Sequence, residues 1–357
     1  MTIIQTLPVL AYGDAVGNDT VTLKKGLIEM GYKTEIYAGH VDHRYGDDMA
    51  KTFNKMPAVK PDDIVIHHMA IGDPCNMKIA KLKCKKVLIY HNITPPELIE
   101  AYNAPAAQGC RIGLDELKKM ADKFDYAIAD SEFNKQDLIR AGFKCKIDVL
   151  PILIAFKDYE TTPAQKVIDN YNDGVTNILF TGRIASNKCQ EDVIRSFALY
   201  QKYYNPNSRL FLVGNENGFE NYKRRLQTFT KALGVKNVIF TGHIKFNEIL
   251  AYYRLADVFL CQSEHEGFCV PLVEAMFFKV PVIAFDSTAV PETLGAGGIV
   301  LKEKNCLETA GVIDRLVKDE ELRKTIIENQ QERLADFEHK KIYERFKMLL
   351  ETNVLGK

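Results

Sequence analysis

The segment ILFTGRIASNK, residues 178–188, begins as an apolar run and ends as a polar loop with two cationic side chains. An amphipathic helical pattern follows at Glu191–Tyr203. A buried strand, a loop and a helix form the repeating unit of parallel α/β sheets. The segment therefore predicts a strand inside such a sheet, with its loop at the carboxyl edge where these sheets bind ligands.

The same alternation runs through both halves of the chain. Strands are predicted in the first half at Ile3–Leu10, Lys33–Tyr37, Ile64–His68, Val87–Tyr90, Tyr126–Ala129 and Ile147–Leu150, and in the second half at Asn177–Phe180, Leu210–Val213, Val238–Phe240, Val258–Leu260 and Val282–Ala284. Runs that are apolar on both faces are typical of a parallel sheet covered by helices. We predict an α/β fold of two tandem, Rossmann-like, doubly wound domains that face each other across a cleft.

A polar stretch at 157–176 interrupts the alternation and predicts a linker plus the start of a second unit. The predicted domains are 1–156 and 157–339. The charged tail from Glu320 to Leu350 reads as helix. Its last part, 340–357, is expected to cross back to the first domain.

Composition excludes several classes of protein. The 357 residues are 46% hydrophobic, enough for a core, and carry 47 basic and 47 acidic side chains. This balance argues against a nucleic-acid partner. The longest run without a charged residue, Met1–Gly13, is 13 residues long, against about 20 needed to span a bilayer. The eight cysteines show no Cys-x-x-Cys, which argues against a disulfide framework or zinc site and favours the cytoplasm.

The strongest local signal is EGFCVPLVEA, residues 266–275. Pro271 suits the first helical position, which places Glu266 in the preceding loop and Glu274 in the first turn. A helix start attracts phosphate, whereas carboxylates bind sugar hydroxyls. Together they indicate a nucleotide sugar; alternatively, Glu274 only stabilises a helix start. Arg183 and Lys188 suit a diphosphate, although a solvated pair is the alternative.

These motifs resemble the donor site of the retaining glycosyltransferases of family 4 (glycosyltransferase group 1), which have the GT-B fold. The resemblance covers nearly the whole chain and includes FTGR at 180–183, FLVG at 211–214, IFTG at 239–242, the glutamate pair and VPVIA at 280–284. It implies that Glu266 binds the transferred sugar, that Glu274 binds the ribose, and that Arg183 and Lys188 hold the diphosphate.

The resemblance extends to the first half of the chain. It implies that 1–156, joined by the helix at 340–357, forms the acceptor side and that 157–339 binds the donor. YGDAVGND, residues 12–19, opens a helix after the first strand and implies a contact from Gly17 more than from Gly13 or Asp14. YHNITP, residues 90–95, implies that His91 lies against the donor sugar. His67 and His68 are expected in the core or at its rim, and Asp130-Ser131-Glu132 is expected only to cap a helix.

The candidate residues are therefore as follows. Catalytic roles are expected for His91, Arg183, Lys188 and Glu266. Donor binding is expected from Gly17, Gly182, Arg183, Lys188, Gly242, His243, Ile244, Glu266, Gly267, Phe268, Cys269, Val270 and Glu274.

No Asp-x-Asp occurs in the chain, so no metal or other cofactor is expected. The predicted activity is metal-independent, retaining hexosyl transfer from a nucleotide-diphosphate sugar to a glycan or lipid-linked acceptor, in bacterial surface polysaccharide synthesis. GDP-mannose is the first choice, followed by UDP-glucose and UDP-N-acetylglucosamine. A GT-B phosphorylase or epimerase and a catalytically silent binding subunit are the alternatives.

Five lysines lie between Lys78 and Lys86, with no acidic residue among them. They predict either a solvated surface or contact with anionic lipid. The expected location is therefore the cytoplasm, with peripheral contact with the inner face of the membrane as the second possibility.

Overall fold

The computed structural model describes residues 1–356 and divides into two compact units. The first unit contains residues 1–96 and 105–155 together with the carboxyl-terminal segment that begins at Phe337. The second contains 97–104 and 156–336. Residues 97–104, assigned to the first domain by the sequence analysis, thus pack with the second unit.

The first unit is built on a seven-stranded parallel sheet with the order β3-β2-β1-β4-β5-β6-β7. Its strands are β1 (Ile3–Leu10), β2 (Thr34–Val41), β3 (Lys51–Thr52), β4 (Ile64–Met69), β5 (Lys85–Tyr90), β6 (Tyr126–Ala129) and β7 (Lys146–Val149). In the register, Ile3 pairs with both Thr34 and Ile64. The strand order therefore reverses between β1 and β4, which is where open α/β sheets form a ligand crevice.

Five helices accompany this sheet. They are α1 (Ala15–Glu29), α2 (Pro74–Ala80), α3 (Ala104–Met120), α4 (Glu132–Arg140) and the carboxyl-terminal α14 (His339–Leu350). Ile342 and Phe346 of α14 are buried in one apolar cluster with Ile3, Ile64 and Val87 of the sheet. The last helix is therefore part of the first unit's core, as the sequence analysis predicts.

The second unit contains a six-stranded parallel sheet with the order β10-β9-β8-β11-β12-β13. Its strands are β8 (Thr176–Thr181), β9 (Ser208–Val213), β10 (Val238–Gly242), β11 (Val258–Cys261), β12 (Val282–Phe285) and β13 (Gly298–Leu301). Here the order reverses between β8 and β11, which pair through Val258 and Ile178.

Nine helices belong to the second unit. They are α5 (Phe156–Tyr159), α6 (Gln165–Tyr171), α7 (Gln190–Tyr203), α8 (Glu220–Ala232), α9 (Phe246–Leu255), α10 (Val270–Phe277), α11 (Val290–Leu294), α12 (Cys306–Lys318) and α13 (Glu320–Leu334). Leu179, Phe211 and Phe259 of the sheet and Met276 of α10 are fully buried in its core.

The predicted pair of doubly wound parallel sheets is confirmed, but three details differ. The stretch 157–176, predicted as a linker plus the start of the second unit, contains most of α5 and all of α6 and belongs wholly to the second unit. The sequence analysis misses β3, which has only two residues, and β13, which begins at a glycine.

Within residues 1–356, no helix combines the length and the apolar character needed to cross a bilayer.

Gly26 fixes the packing of α14 against α1. The Tyr343 hydroxyl donates to the Gly26 carbonyl at 2.9 Å. A Cβ atom added at Gly26 would lie 2.5 Å from Cε2 of the Tyr343 ring. The absence of a side chain at residue 26 therefore makes room for the ring.

We expect Gly26→Ala to destabilise the protein, although alanine normally favours a helix by about 1 kcal/mol. The clash with Tyr343 should outweigh that gain and cost about 1–3 kcal/mol. Urea unfolding measures the effect. Gly311→Ala is the matched control, because its Cβ would meet only the Tyr204 hydroxyl at 3.2 Å. Removing the ring in Gly26→Ala/Tyr343→Ala should relieve the clash; strictly additive effects would contradict this explanation.

Candidate functional site

The loops after β8 and β11 bring the predicted residues of the second unit together. These two strands are neighbours at the point where the strand order reverses. Lys188 ends a short 3₁₀ turn after β8, and Glu266 follows β11 by five residues. The Glu264 amide donates to the Asn187 carbonyl at 2.9 Å, which joins the two loops directly.

Lys188 and Glu266 form a mostly buried ion pair. The Lys188 Nζ atom lies 2.6 Å from Glu266 Oε1, and the side chains are 21% and 9% exposed. Burial lowers the pKa of Lys188, but the facing Glu266 carboxylate raises it by more, so the net pKa lies above its usual value. The lysine is therefore charged at neutral pH.

The backbone of Glu266 is held by one threonine. The Glu266 amide donates to Thr288 Oγ1 at 2.8 Å, and the same hydroxyl donates to the Glu266 carbonyl at 2.8 Å. Thr288 itself has a φ of 45°, in the left-handed region that costs a β-branched residue energy. A strained residue thus fixes the carboxylate's backbone, and the sequence pattern does not reveal it.

Glu274 is held by two tyrosines. Tyr159 Oη donates to its Oε1 atom at 3.1 Å, and Tyr253 Oη donates to its Oε2 atom at 2.6 Å. Burial raises the pKa of Glu274, while the two hydroxyl bonds oppose that rise. The helix α10 begins at Val270, so Glu274 lies in its second turn. The sequence analysis was wrong to place it in the first turn.

A hydroxyl chain connects strand β8 to Glu274. The Thr181 and Tyr253 hydroxyls lie 2.5 Å apart. A phenol has one proton, and Tyr253 gives it to Glu274, so Thr181 must be the donor to Tyr253. The end of β8 is therefore coupled to the carboxylate on α10 within the same edge of the sheet.

Arg183 lies in the same loop as Lys188. Its guanidinium carbon is 5.3 Å from the centre of the Phe219 ring. Its side chain is exposed, and its carbonyl accepts from Gln190 Nε2 at 3.0 Å. The loop thus carries one exposed cation and one buried cation five residues apart.

Glycines bring three backbone segments close together at this edge. A Cβ atom at Gly214 would lie 2.0 Å from the Gly182 carbonyl oxygen. Gly214 also forms an antiparallel bridge with Gly242. His243 is exposed, and Ile244 packs on the unit's core.

The residues between the two glutamates are placed mainly by packing. Phe268 is buried, and its carbonyl accepts from Thr293 Oγ1 at 2.5 Å. Gly267 and Val270 are partly buried in the same loop. Cys269 is also buried and has a φ of 74°, a backbone conformation that favours glycine.

In the first unit, the structure gives His91 partners that the sequence analysis does not predict. His91 Nδ1 lies 2.9 Å from Asp130 Oδ2, and its Nε2 lies 2.9 Å from Nδ1 of His68. His68 Nε2 in turn lies 3.0 Å from Gln5 Oε1. Asp130 is therefore more than part of a helix start, and the cap of α4 is Ser131, which accepts from the Asn134 amide at 3.1 Å.

The two histidine rings meet edge to edge. Their planes differ by 5°, and their centroids are 5.2 Å apart. That separation matches the 2.9 Å between the two nitrogens plus one ring radius on each side. The ring nitrogens therefore point at each other, which is the geometry of an N–H···N hydrogen bond.

Only one proton arrangement fits the amide of Gln5 as placed. Its Oε1 needs a proton from His68 Nε2, so His68 Nδ1 must accept from His91 Nε2. With Asp130 as a carboxylate, which the facing His91 favours against the effect of burial, His91 donates from both nitrogens and is an imidazolium. Burial lowers the pKa of His91, but Asp130 raises it by more, and the net pKa lies above its usual value.

His67 belongs to a separate buried chain. Its Nδ1 lies 2.9 Å from Thr6 Oγ1, and its Nε2 lies 2.9 Å from Asn76 Oδ1. Asn76 donates to Glu116 Oε2 at 2.8 Å. Burial lowers the pKa of His67 to about 4, so the ring is neutral and structural.

Gly17 has a packing reason to be glycine. A Cβ atom there would lie 2.5 Å from the Ala11 carbonyl oxygen. The Gly17 amide donates to the Asp14 carboxylate, which caps α1, at 2.5 Å. The residue thus allows the close approach of β1 and α1.

Two groups of side chains in residues 1–356 have ligand atoms within 4.8 Å of one another, close enough to share a metal ion. They are Asp19 with His68 and His91, and Cys261 with Glu266 and Cys269. In the first group the lone pairs of the two rings face each other rather than a common point. Its geometry therefore favours a hydrogen bond over a metal ion.

Asp19 lies beside this histidine chain and should set a pH dependence of stability. Its Oδ1 accepts from the Leu153 amide at 2.9 Å. Burial raises the pKa of Asp19 from 3.8 to about 7. The folded protein therefore keeps a proton that the unfolded chain releases above about pH 4.

We expect the contribution of Asp19 to stability to be full at acidic pH and to be lost, by about 2–4 kcal/mol, as the pH rises from about 4 to about 7. Asp19→Asn imitates the protonated carboxyl and keeps the acceptor for Leu153, so its stability curve should be flatter. Denaturant unfolding between pH 4 and 8 measures this. Asp115→Asn, which changes an exposed carboxylate, should show the same pH dependence of the free energy of unfolding as the wild type. If Asp19→Asn also shows the wild-type pH dependence, the raised pKa of Asp19 is refuted.

Comparisons with known proteins agree with this architecture. Residues 162–333 match the family described as glycosyl transferases group 1. An uncharacterized glycosyltransferase of Methanocaldococcus jannaschii is 24% identical over 339 residues, which cover 83% of this chain and 80% of that protein. A serotype-specific mannosyltransferase, WbdA of Escherichia coli, is 27% identical over 46% of this chain and 20% of its own.

A crystal structure of Anabaena HepE in complex with UDP-glucose has a similar fold. The TM-score is 0.76 at 16% identity, over 99% of this chain and 100% of that one. At this identity the likeness shows the fold alone, which is of the GT-B type. The family match covers residues 162–333, just under half of the chain, and shows that this part is similar to the group 1 glycosyltransferases.

Proposed function

We propose that the protein is a metal-independent, retaining glycosyltransferase of family 4. It moves a hexose from a nucleotide-diphosphate sugar to a glycan or lipid-linked acceptor. The observation that carries the proposal is the Lys188–Glu266 pair, 2.6 Å apart beside the point where the strand order of the second sheet reverses. A buried cation and a buried carboxylate at such a crevice can serve a diphosphate and a sugar hydroxyl.

The leaving group is neutralised by protein cations. Lys188 and the exposed Arg183 approach the diphosphate from one loop, and the start of α10 adds the positive end of its dipole. Such preorganised charge stabilises the departing diphosphate more than the bound substrate, which is what accelerates transfer. Gly182 and Gly242 leave room for close approach of the donor to the backbone.

The two glutamates have separate tasks. Glu274, oriented by Tyr159 and Tyr253, has acceptor lone pairs left on both oxygens for the ribose diol. Glu266 accepts from the hydroxyls of the transferred hexose. His91 is the proposed catalytic histidine of the first unit, and its charge is set by Asp130. A donor phosphate oxygen takes the acceptor's proton, so no carboxylate needs to act as a nucleophile.

The donor is best supported as GDP-mannose, with UDP-glucose and UDP-N-acetylglucosamine next. The mannose choice rests on the segments at 13–19 and 90–95 and on the likeness to a mannosyltransferase. UDP-glucose is supported by the structural neighbour that binds it. We place the activity in bacterial surface polysaccharide synthesis.

Contact with anionic membrane at the inner face of the cytoplasmic membrane is a weaker part of the proposal. Lys78, Lys81, Lys83 and Lys85 are exposed, but Lys86 is buried and donates to the Leu82 carbonyl at 2.8 Å. The Lys85 ammonium donates to the Val354 carbonyl at 2.6 Å, so Lys78, Lys81 and Lys83 are the lysines left for lipid phosphates.

We expect Lys188→Ala and Glu274→Ala each to lower transfer by about 10²–10³-fold. A thermal-shift screen of UDP, GDP, ADP and their sugars identifies the donor, and product formation with that donor gives the rate. Lys304→Ala is the matched control. Its ammonium is 19% exposed and lies 3.1 Å from Asp192 and 2.9 Å from Glu264, so it tests the loss of a mostly buried lysine that pairs with two carboxylates.

The control should lose stability while it keeps most of its transfer rate. Equal loss in Lys304→Ala and Lys188→Ala would show that the ion pair only supports the fold. Hydrolysis or phosphorolysis without transfer would favour a phosphorylase or epimerase. Donor binding without turnover would favour a silent binding subunit.

Activity should survive complete removal of divalent cations, because Arg183, Lys188 and the start of α10 neutralise the diphosphate. The measurement is turnover of the identified donor after dialysis against EDTA, with and without added Mg²⁺. Loss of turnover on chelation and its recovery with Mg²⁺ would refute this account of the leaving group.

A further inference from the structure

We propose that Cys261, Cys269 and Glu266 form an inhibitory binding site for a thiophilic divalent cation, with zinc as the natural ligand. Cys261 is the last residue of β11, and Cys269 is the residue before α10. Both are buried, and Glu266 lies between them in the chain. Two thiols and a carboxylate are a donor set that suits Zn²⁺. The set also suits Cd²⁺, which binds thiolate sulfur more strongly than Zn²⁺ does.

The distances suit one shared ion. The two sulfurs and a Glu266 oxygen all lie within 4.8 Å of one another. Zinc–sulfur bonds of about 2.3 Å at a tetrahedral angle put two sulfurs about 3.8 Å apart. Side-chain rotation alone can therefore bring the three atoms onto one ion. Cys261 Sγ donates to Ser263 Oγ at 3.4 Å, so metal binding would replace this hydrogen bond.

Charge balance favours binding in this buried place. Without the ion, two neutral thiols accompany the Lys188–Glu266 pair, and the net charge is zero. Binding of Zn²⁺ releases two thiol protons to solvent and leaves two thiolates, one carboxylate, one ammonium and the ion, which again sum to zero. No net charge is therefore buried, although isolated charges in such surroundings would be costly.

The backbone at Cys269 supports a role for its side chain. Its φ of 74° lies in the left-handed region, where glycine is the natural residue and a residue with a side chain is strained. The chain carries a thiol at this position, and its sulfur lies within 4.8 Å of the Cys261 sulfur and of a Glu266 carboxylate oxygen. Seven residues separate the two cysteines, and that spacing matches no common zinc motif.

Metal binding should inhibit transfer. The ion binds a Glu266 oxygen, and the Lys188 ammonium, which lies 2.6 Å from that carboxylate in the metal-free structure, stays beside it. Both groups are then held away from the donor. This inhibitory effect rests on the proposed function, whereas binding of the metal does not.

The test uses the full chain, reduced with a phosphine and freed of metal. Cadmium is the probe, because thiolate-to-cadmium charge transfer gives an ultraviolet band. We expect one tight equivalent with two thiolates in the wild type. Cys261→Ser should bind this cadmium at least 10-fold more weakly. Cys306→Ser, which changes a partly buried cysteine at the start of α12, should bind it as the wild type does. X-ray absorption of the zinc-loaded wild type should count two sulfurs.

Kinetics test the second half. One equivalent of Zn²⁺ should lower wild-type transfer at least 10-fold, and EDTA should restore it. The Cys261→Ser rate, compared with its own metal-free rate, should be insensitive. Unchanged cadmium binding in Cys261→Ser, or a zinc site with no sulfur or four sulfurs, overturns the assignment. So does a Cys261–Cys269 disulfide in air combined with no cadmium uptake by the reduced protein. Two-thiolate binding in a protein that transfers no sugar would keep the site and refute the proposed function.

Discussion

The ion pair between Lys188 and Glu266 is the constraint on which the second unit's functional edge depends. Neither charge could be buried there alone without a large desolvation cost. The pair joins loops that are 78 residues apart in the chain. The pair lies beside the reversal of strand order, where this fold forms its ligand crevice. Folding has therefore already removed most of the water from two charged groups that line the crevice.

The same requirement for partners organises the other buried polar groups. Glu274 is satisfied by two phenols, and His91 by Asp130 and His68. In each case one partner comes from a strand or helix that is distant in the chain. The hydrogen bonds that orient these side chains therefore also hold the elements of each unit together. Such networks are strong when every member is satisfied.

The sequence predicted the parallel strands well because strands buried on both faces leave unbroken apolar runs. It also predicted that residues 183–188 and 266–274 form one site; the structure brings Lys188 and Glu266 together, and their chemical role stays a prediction. It missed Tyr159, whose hydroxyl reaches Glu274 from a stretch of polar composition, and Asp130, whose role depends on β5 and β6 being neighbours. It misplaced Glu274 because the helix starts one residue before Pro271. Periodicity reports which face is buried, but not which distant side chain meets it.

On the proposed function, the ion pair also explains how a carboxylate can serve a site for an anionic donor. When a diphosphate arrives, Lys188 can exchange the Glu266 carboxylate for a phosphate oxygen, so the cation keeps an anionic partner throughout. Glu266 then has free lone pairs, and sugar hydroxyls supply the donors that the lysine withdraws. The exchange buries no unpaired charge, and most of the desolvation is already complete in the folded protein. A pocket prepared in this way loses little energy to reorganisation as charge develops on the leaving group.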